Sequence, residues 1–167
     1  MKNLFTAIIL GIALVGVSFA QADKSSKPRI AVLEFSDTSG NMTAEAKRQL
    51  QSSIAFELVK GRDFEVPDVR QTRAATQGAG TAISIGKKLG ADYVLTGSVV
   101  EYSTTEGRMT VRTQLVKVGT GHLVLSNDNS AQSTRPMTGN AGHAEMSAKV
   151  VKPLIQKLAA TLKAAGL

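Results

Sequence analysis

A catalytic or metal centre needs histidine, cysteine, an activated serine or paired carboxylates at workable spacing, and this chain offers little of that kind. It has no cysteine, so thiolate metal sites, disulfides, a cysteine nucleophile and a thioether-linked lipid are all excluded. Its two histidines, His122 and His143, lack an i,i+4 partner and an acidic cluster, so no metal site is expected. Ala82-Ile83-Ser84-Ile85-Gly86 is a relaxed form of the nucleophile elbow, but that elbow must turn from a strand into a helix. Here Ser84 falls within a short predicted helix. Gly78-Ala79-Gly80 resembles the opening of a dinucleotide loop, yet it follows a helix and position 83 is isoleucine. Gly86-Lys87-Lys88 lies inside a helix whose amides are already bonded. Glu34 with Asp37 and Glu101 with Glu106 are the nearest approaches to opposed carboxylates, and ordinary surface acids produce such pairs. No catalytic residue and no cofactor is predicted.

Charge is the other source of function. The chain has 20 Lys+Arg against 13 Asp+Glu, a formal charge of +7. Nucleic acid, anionic lipid and acidic protein all suit such a balance. The basic residues are scattered: Lys47-Arg48, Lys60 and Arg62, Arg70 and Arg73, Lys87-Lys88, Arg108 and Arg112. Beyond residue 22 the aromatics are only Phe35, Phe56, Phe64, Tyr93 and Tyr102. That leaves no stacking platform for bases, and no nucleic-acid partner is expected.

The elements that position these side chains begin after residue 22. Met1-Lys2, the uncharged run from Leu4 to Phe19 and the small residues Ala20-Gln21-Ala22 have the layout of a secretory signal peptide, with cleavage after Ala22 or, alternatively, after Ala20. The run is shorter than the roughly 20 apolar residues of a membrane span, so no integral span is expected once it is removed. Loss of Lys2 would leave a charge of +6 on a single domain over residues 23–167, facing the periplasm.

Arg29 to Phe35 reads as a strand buried on both faces. Ser36 to Asn41 reads as a loop. Thr43 opens a helix closed by Gly61, with Ala46, Leu50, Ile54 and Leu58 as its buried stripe. Phe64-Glu65-Val66 is a short strand stopped by Pro67. Asp68 caps a helix to about Gln77, and Thr81 caps another that Gly90 ends. Asp92–Tyr102, Arg108–Val118 and His122–Asn129 are strands joined by Thr104–Gly107 and Gly119–Gly121. After the polar loop Ser133–Gly142, a helix over about Ala144–Ala165 closes the chain. Its arc Val150, Val151, Leu154, Ile155, Leu158 and Leu162 opposes Lys149, Lys152, Lys157 and Lys163. Packing on the sheet is favoured over a membrane surface. Pro153 predicts a kink, or a helix that begins near Val151. The order β-α-β-α-α-β-β-β-α implies an α/β (α+β) fold, with helices on a mixed sheet of about five strands.

Two stretches go beyond generic pattern: AISIGKKLGADYVLTGSV from Ala82 and VRTQLVKVGTGHLVLS from Val111. With RIAVLEFSDTSG from Arg29, they resemble the envelope superfamily that contains the CsgG family (curli production assembly/transport component), the penicillin-binding-protein activator LpoB family and the N-terminal domain of TolB. The resemblance spans about Arg29 to Ala131. It implies an interaction module, not an enzyme. Gly90, Asp92, Gly97, Thr120 and Gly121 fall in its motifs with structural roles: Gly90 as helix stop, Gly97 for close approach of a helix or for a bulge, and Thr120-Gly121 for a tight hairpin. Relatives of this type are lipoproteins acylated on a cysteine after the signal peptide, which this chain does not have. The curli channel adds barrel hairpins, and the turns here are too short and polar to supply them.

The expectation is an exported, non-catalytic domain that docks on an unidentified envelope protein and assists assembly or secretion. The surfaces expected to dock are the first loop (Asp37, Asn41), the first hairpin (Glu106, Arg108) and the lysine face of the last helix (Lys149, Lys152). The alternative is a homo-oligomeric accessory subunit of a curli-type secretion apparatus. More remote is a periplasmic enzyme with an unrecognised site.

Overall fold

The structure, a computed structural model, describes residues 27–78, 80–134 and 140–166, with residues 140–143 described by backbone alone. The expected signal peptide, Ala79 and most of the loop before the last helix lie outside the described residues. The elements are β1 (Ile30–Val32), β2 (Ser36–Asp37), α1 (Ala44–Lys60), α2 (Val69–Thr76), α3 (Ala82–Lys88), β3 (Tyr93–Ser103), β4 (Arg108–Lys117), β5 (Leu123–Gln132) and α4 (Asn140–Ala164).

The fold is a mixed α+β sheet of five strands with four helices packed against it. The path runs β1-β3-β4-β5, and β2 also pairs with β3. Both β1 and β2 are parallel to β3, whereas β3, β4 and β5 form an antiparallel meander. One strand differs from expectation. Phe64–Val66 contributes only a bridge, Arg29 to Glu65, and Ser36–Asp37, read as loop, supplies the fifth strand. The cause is the length of β3. At 11 residues it extends past the three that β1 pairs, leaving the backbone at Ser98 and Val99 for β2.

Alternation along β1 divides the interior into two cores. Ile30 and Val32 join Leu50, Ile54 and Leu58 of α1 and Met146, Val150, Val151, Leu154, Leu158 and Leu162 of α4. Ala31 and Leu33 point the other way, to Ile85, Ala91, Val94 and Val118. Each fully buried leucine here is worth roughly 1.5–3 kcal/mol over an exposed one. Burial of this arc settles the last helix as core packing. It starts at Asn140 and continues through Pro153, so a start near Val151 is corrected. Pro153 is exposed, so the carbonyl left unbonded by its missing N–H can face water.

The caps follow the side-chain chemistry. Thr43, Asp68 and Thr81 accept from backbone N–H groups of α1, α2 and α3. Gly61 has helical φ −65°, and the left-handed turn after α1 falls on Arg62 at φ 59°. At Gly97 a Cβ would stand 2.3 Å from the Phe35 ring and from the Arg112 carbonyl oxygen. The close approach is thus made by an aromatic ring and a strand, not by a helix, and the β3 bulge lies between Val99 and Glu101.

Candidate interaction surface

The first loop is organised by one carboxylate. Asp37 Oδ1 accepts from Ser39 N (2.9 Å), Ser39 Oγ (2.6 Å) and Gly40 N (3.2 Å), and its Oδ2 accepts from Met42 N (2.8 Å). Burial pushes this carboxyl up, but the donors from Ser39, Met42 and Gly40 outweigh it and hold the group below its ordinary value. Asn41 Nδ2 donates to the Tyr102 carbonyl oxygen at 3.2 Å, so the loop is tied to β3 beside the hairpin.

The hairpin continues this network. Arg108 stands 3.5 Å from both Glu101 and Glu106. Opposite Arg108 in register is Gln132, whose carbonyl oxygen accepts from Lys149 Nζ at 2.9 Å. Lys149 also pairs with Glu145 at 2.8 Å. Glu145 further accepts from Thr134 N and Oγ1 and from Ser133 Oγ. The Lys149 ammonium and the Thr134 donors lower the Glu145 carboxyl to about 2. Five of the six residues expected to dock a partner are therefore engaged within the chain, at one end of the sheet. On the outer face nearby, Arg112 makes a two-pronged pair with Asp128, which holds that carboxyl below its ordinary value.

Lys152 is placed elsewhere. It lines a groove of about 320 Å³ between α1 and α4, with Gln49, Ser52, Phe56, Ala148 and Val151 among its walls. Phe56 is 65% exposed. Gln49 and Ser52 also line an adjoining cleft of about 630 Å³ with Glu45, Arg48 and Arg73, so groove and cleft run together across α1. Gln51, fully buried, donates through Nε2 to the Val32 carbonyl oxygen and accepts from Arg73 Nε, both at 2.9 Å. Arg73 Nη2 donates to the Arg48 carbonyl oxygen at 3.2 Å. A neutral amide thus fixes a guanidinium without neutralising it. Among the described residues no carboxylate forms an ion pair with Arg48, Arg73 or Lys152.

Sequence reasoning treated Arg48 and Arg73 as scattered charges and missed Phe56. The available signal was Phe56 itself, a large apolar residue off the four-residue stripe of α1. The motif residues have backbone roles: Gly90 and Gly121 have φ of +61° and +73°, Asp92 Oδ2 accepts from Arg29 N at 3.0 Å, and Thr120 Oγ1 accepts from His122 N. His122 is exposed, and Ser84 Oγ donates to the Thr81 carbonyl oxygen. Among the described residues no cluster of three His, Asp or Glu could hold a metal, and no helix is long and apolar enough to cross a membrane.

Residues 37–131, from β2 through nearly all of β5, match the protein family described as peptidoglycan-synthase activator LpoB. The chain belongs to this family. Of the families named by the sequence resemblance, LpoB is the one matched, and the match lends nothing to a curli or secretion role. Solved structures share the fold of this LpoB-family chain. A PelC dodecamer from Paraburkholderia phytofirmans aligns at TM-score 0.56 and 19% identity, over 77% of this chain and 86% of that one. Lipoprotein GNA1162 from Neisseria meningitidis aligns at 0.55 and 20%, over 78% and 96%. LpoB of Escherichia coli aligns at 0.52 and 20%, over 64% of this chain and 58% of that one. A search of curated proteins finds no match. The LpoB match includes α1 but stops before α4, so the groove is walled by one helix inside the matched region and one beyond it.

Proposed function

We infer that this chain is an exported, non-catalytic envelope module that stimulates a peptidoglycan synthase by direct contact. The family match over residues 37–131 carries the reading. It is supported by the local work that the candidate chemical groups already do: Asp37 builds its loop, and Ser84 bonds back to its own helix. The module is one domain over residues 23–167 behind a signal peptide at 1–22, and it acts in the periplasm.

The test combines the chain with a peptidoglycan synthase of the same cell and follows glycan polymerisation. A several-fold rise in rate with a saturable complex is expected. Unchanged polymerisation with no complex at physiological salt overturns the reading. Intact mass of the protein from the periplasmic fraction should give a chain starting at Asp23 or Gln21.

Self-assembly is a second reading, favoured by β5. This strand forms the sheet's edge over ten residues with no Lys, Arg or Pro to block pairing. The similarly folded PelC is a dodecamer. Light scattering that gives a monomer would end this alternative.

A further inference from the structure

The groove between α1 and α4 combines features that the hairpin end lacks. It exposes a large apolar side chain, Phe56, beside the small residues Ala144, Ser147 and Ala148. Two packed helices leave a channel of the kind into which an amphipathic segment lays its apolar face. The charge around the channel is net positive, three cations against two acids, one of them already paired. Lys152 stands on one wall, and Arg48 and Arg73 stand where the channel opens into the adjoining cleft. The acids facing the same space are Glu57, which pairs with Lys60 at 3.4 Å, and Glu45. The buried Gln51 holds Arg73 in one orientation: its Nε and Nη2 donate to Gln51, the Arg48 carbonyl oxygen and Ser52 Oγ, which leaves Nη1 to donate to a carboxylate.

We propose that this groove docks an acidic amphipathic segment of the protein partner, with apolar side chains against Phe56 and carboxylates on Arg48, Arg73 and Lys152. The proposal rests on the reading of the chain as a docking module and adds the surface and the partner's chemistry. Carboxylate recognition is favoured over a lipid surface because the cations flank a recessed apolar channel instead of forming a plane.

The test uses the full chain and a fluorescent amphipathic helical peptide of leucine and glutamate, with a leucine–lysine copy as control. The glutamate peptide should bind at least about tenfold tighter, and the affinity should fall with salt. Phe56→Ala and Arg48→Glu should each weaken binding about five- to tenfold. Both side chains are exposed, so the melting temperature should not move, and Arg48→Lys should retain most of the affinity. Equal affinity for the two peptides overturns the proposal, as does binding indifferent to both substitutions. Phosphatidylglycerol vesicles that bind in place of the peptide, lost in the same variants, would assign the groove to membrane and overturn it. Self-association abolished by Phe56→Ala would assign it to a second copy and also overturn it.

Co-precipitation with the synthase separates the two levels of inference. If Phe56→Ala and Arg48→Glu bind the synthase as well as the wild type does, the groove fails while the docking reading stands. If the wild type ignores the synthase yet binds the glutamate peptide with the stated selectivity, the groove stands and the synthase reading falls.

Discussion

Arg108, Arg112 and Lys149 at the hairpin end carry the same charge as Arg48, Arg73 and Lys152 on the helical flank, in different company. At the hairpin end each of these three cations has an acid: Arg108 has Glu101 and Glu106, Arg112 has Asp128, and Lys149 has Glu145. On the helical flank a cation is held by an amide and by backbone carbonyl oxygen, so its charge stays unspent. The surplus of +7 is therefore not a uniform coat. One region uses charge to join a hairpin, a strand end and a helix. The other presents charge beside an apolar groove. An internal network and a docking surface cannot be told apart by counting lysines and arginines.

The largest stability effect should come from the amide that makes the flank different. Gln51→Leu removes the donor to the Val32 carbonyl oxygen and the acceptor for Arg73. Stranding buried polar groups costs about 1–3 kcal/mol, and a loss of about 2 kcal/mol is expected in urea unfolding. Gln51→Glu sharpens the comparison, because it would give Arg73 a buried acid and turn the flank into a paired site. Peptide binding should then weaken although Arg48, Phe56 and Lys152 are untouched. Unchanged stability in Gln51→Leu would mean that Arg73 is not held as described.

These outcomes bear on what the sequence could reveal. Period and capping chemistry are local, so the α4 arc and the caps Thr43, Asp68 and Thr81 were legible. The polar pair Ser36–Asp37 was not legible as a strand, because its pairing is dictated by the length of β3 and not by its own side chains. Gly97 was marked as a position of close approach, but the ring that needs the space, Phe35, is distant in sequence. The same limit applies to the surface. Arg73 and Arg48 meet across a separation of 25 residues, and only the packing of α1 against α2 brings them together. The Lys149 and Lys152 of one helical face looked equivalent, yet three residues of rotation put one on Gln132 and Glu145 and the other on the groove.

A smaller effect is expected at the joint made by Glu145. Its carboxyl lies at about 2 in the fold against an ordinary 4.5. A depressed carboxyl contributes stability that is present above the unfolded value and lost as pH falls through the folded one. The hairpin end should therefore hold down to about pH 4.5 and loosen progressively towards about pH 2. Glu145→Gln should flatten the melting temperature over that window and leave peptide binding at the groove unchanged. A wild-type profile as flat as that of the variant would remove the distinction between the two regions.

The smallest effect should come from the most regular ion pair. Arg112 and Asp128 meet at 2.9 Å with side chains that are 53% and 48% exposed. Water screens both charges, and ordering two long side chains offsets what attraction remains. Arg112→Ala, Asp128→Ala and the double variant should differ in melting temperature by about 1–2 °C at most, and by less as salt is raised. If the three variants instead lost synthase binding together, this outer face of β4 and β5 would be part of the docking surface. The hairpin end would then no longer be the internally satisfied member of the pair. If binding survives in all three and fails only with Arg48→Glu and Phe56→Ala, the contrast holds: charge that is already paired contributes little to recognition, and charge left unpaired beside an apolar groove carries it.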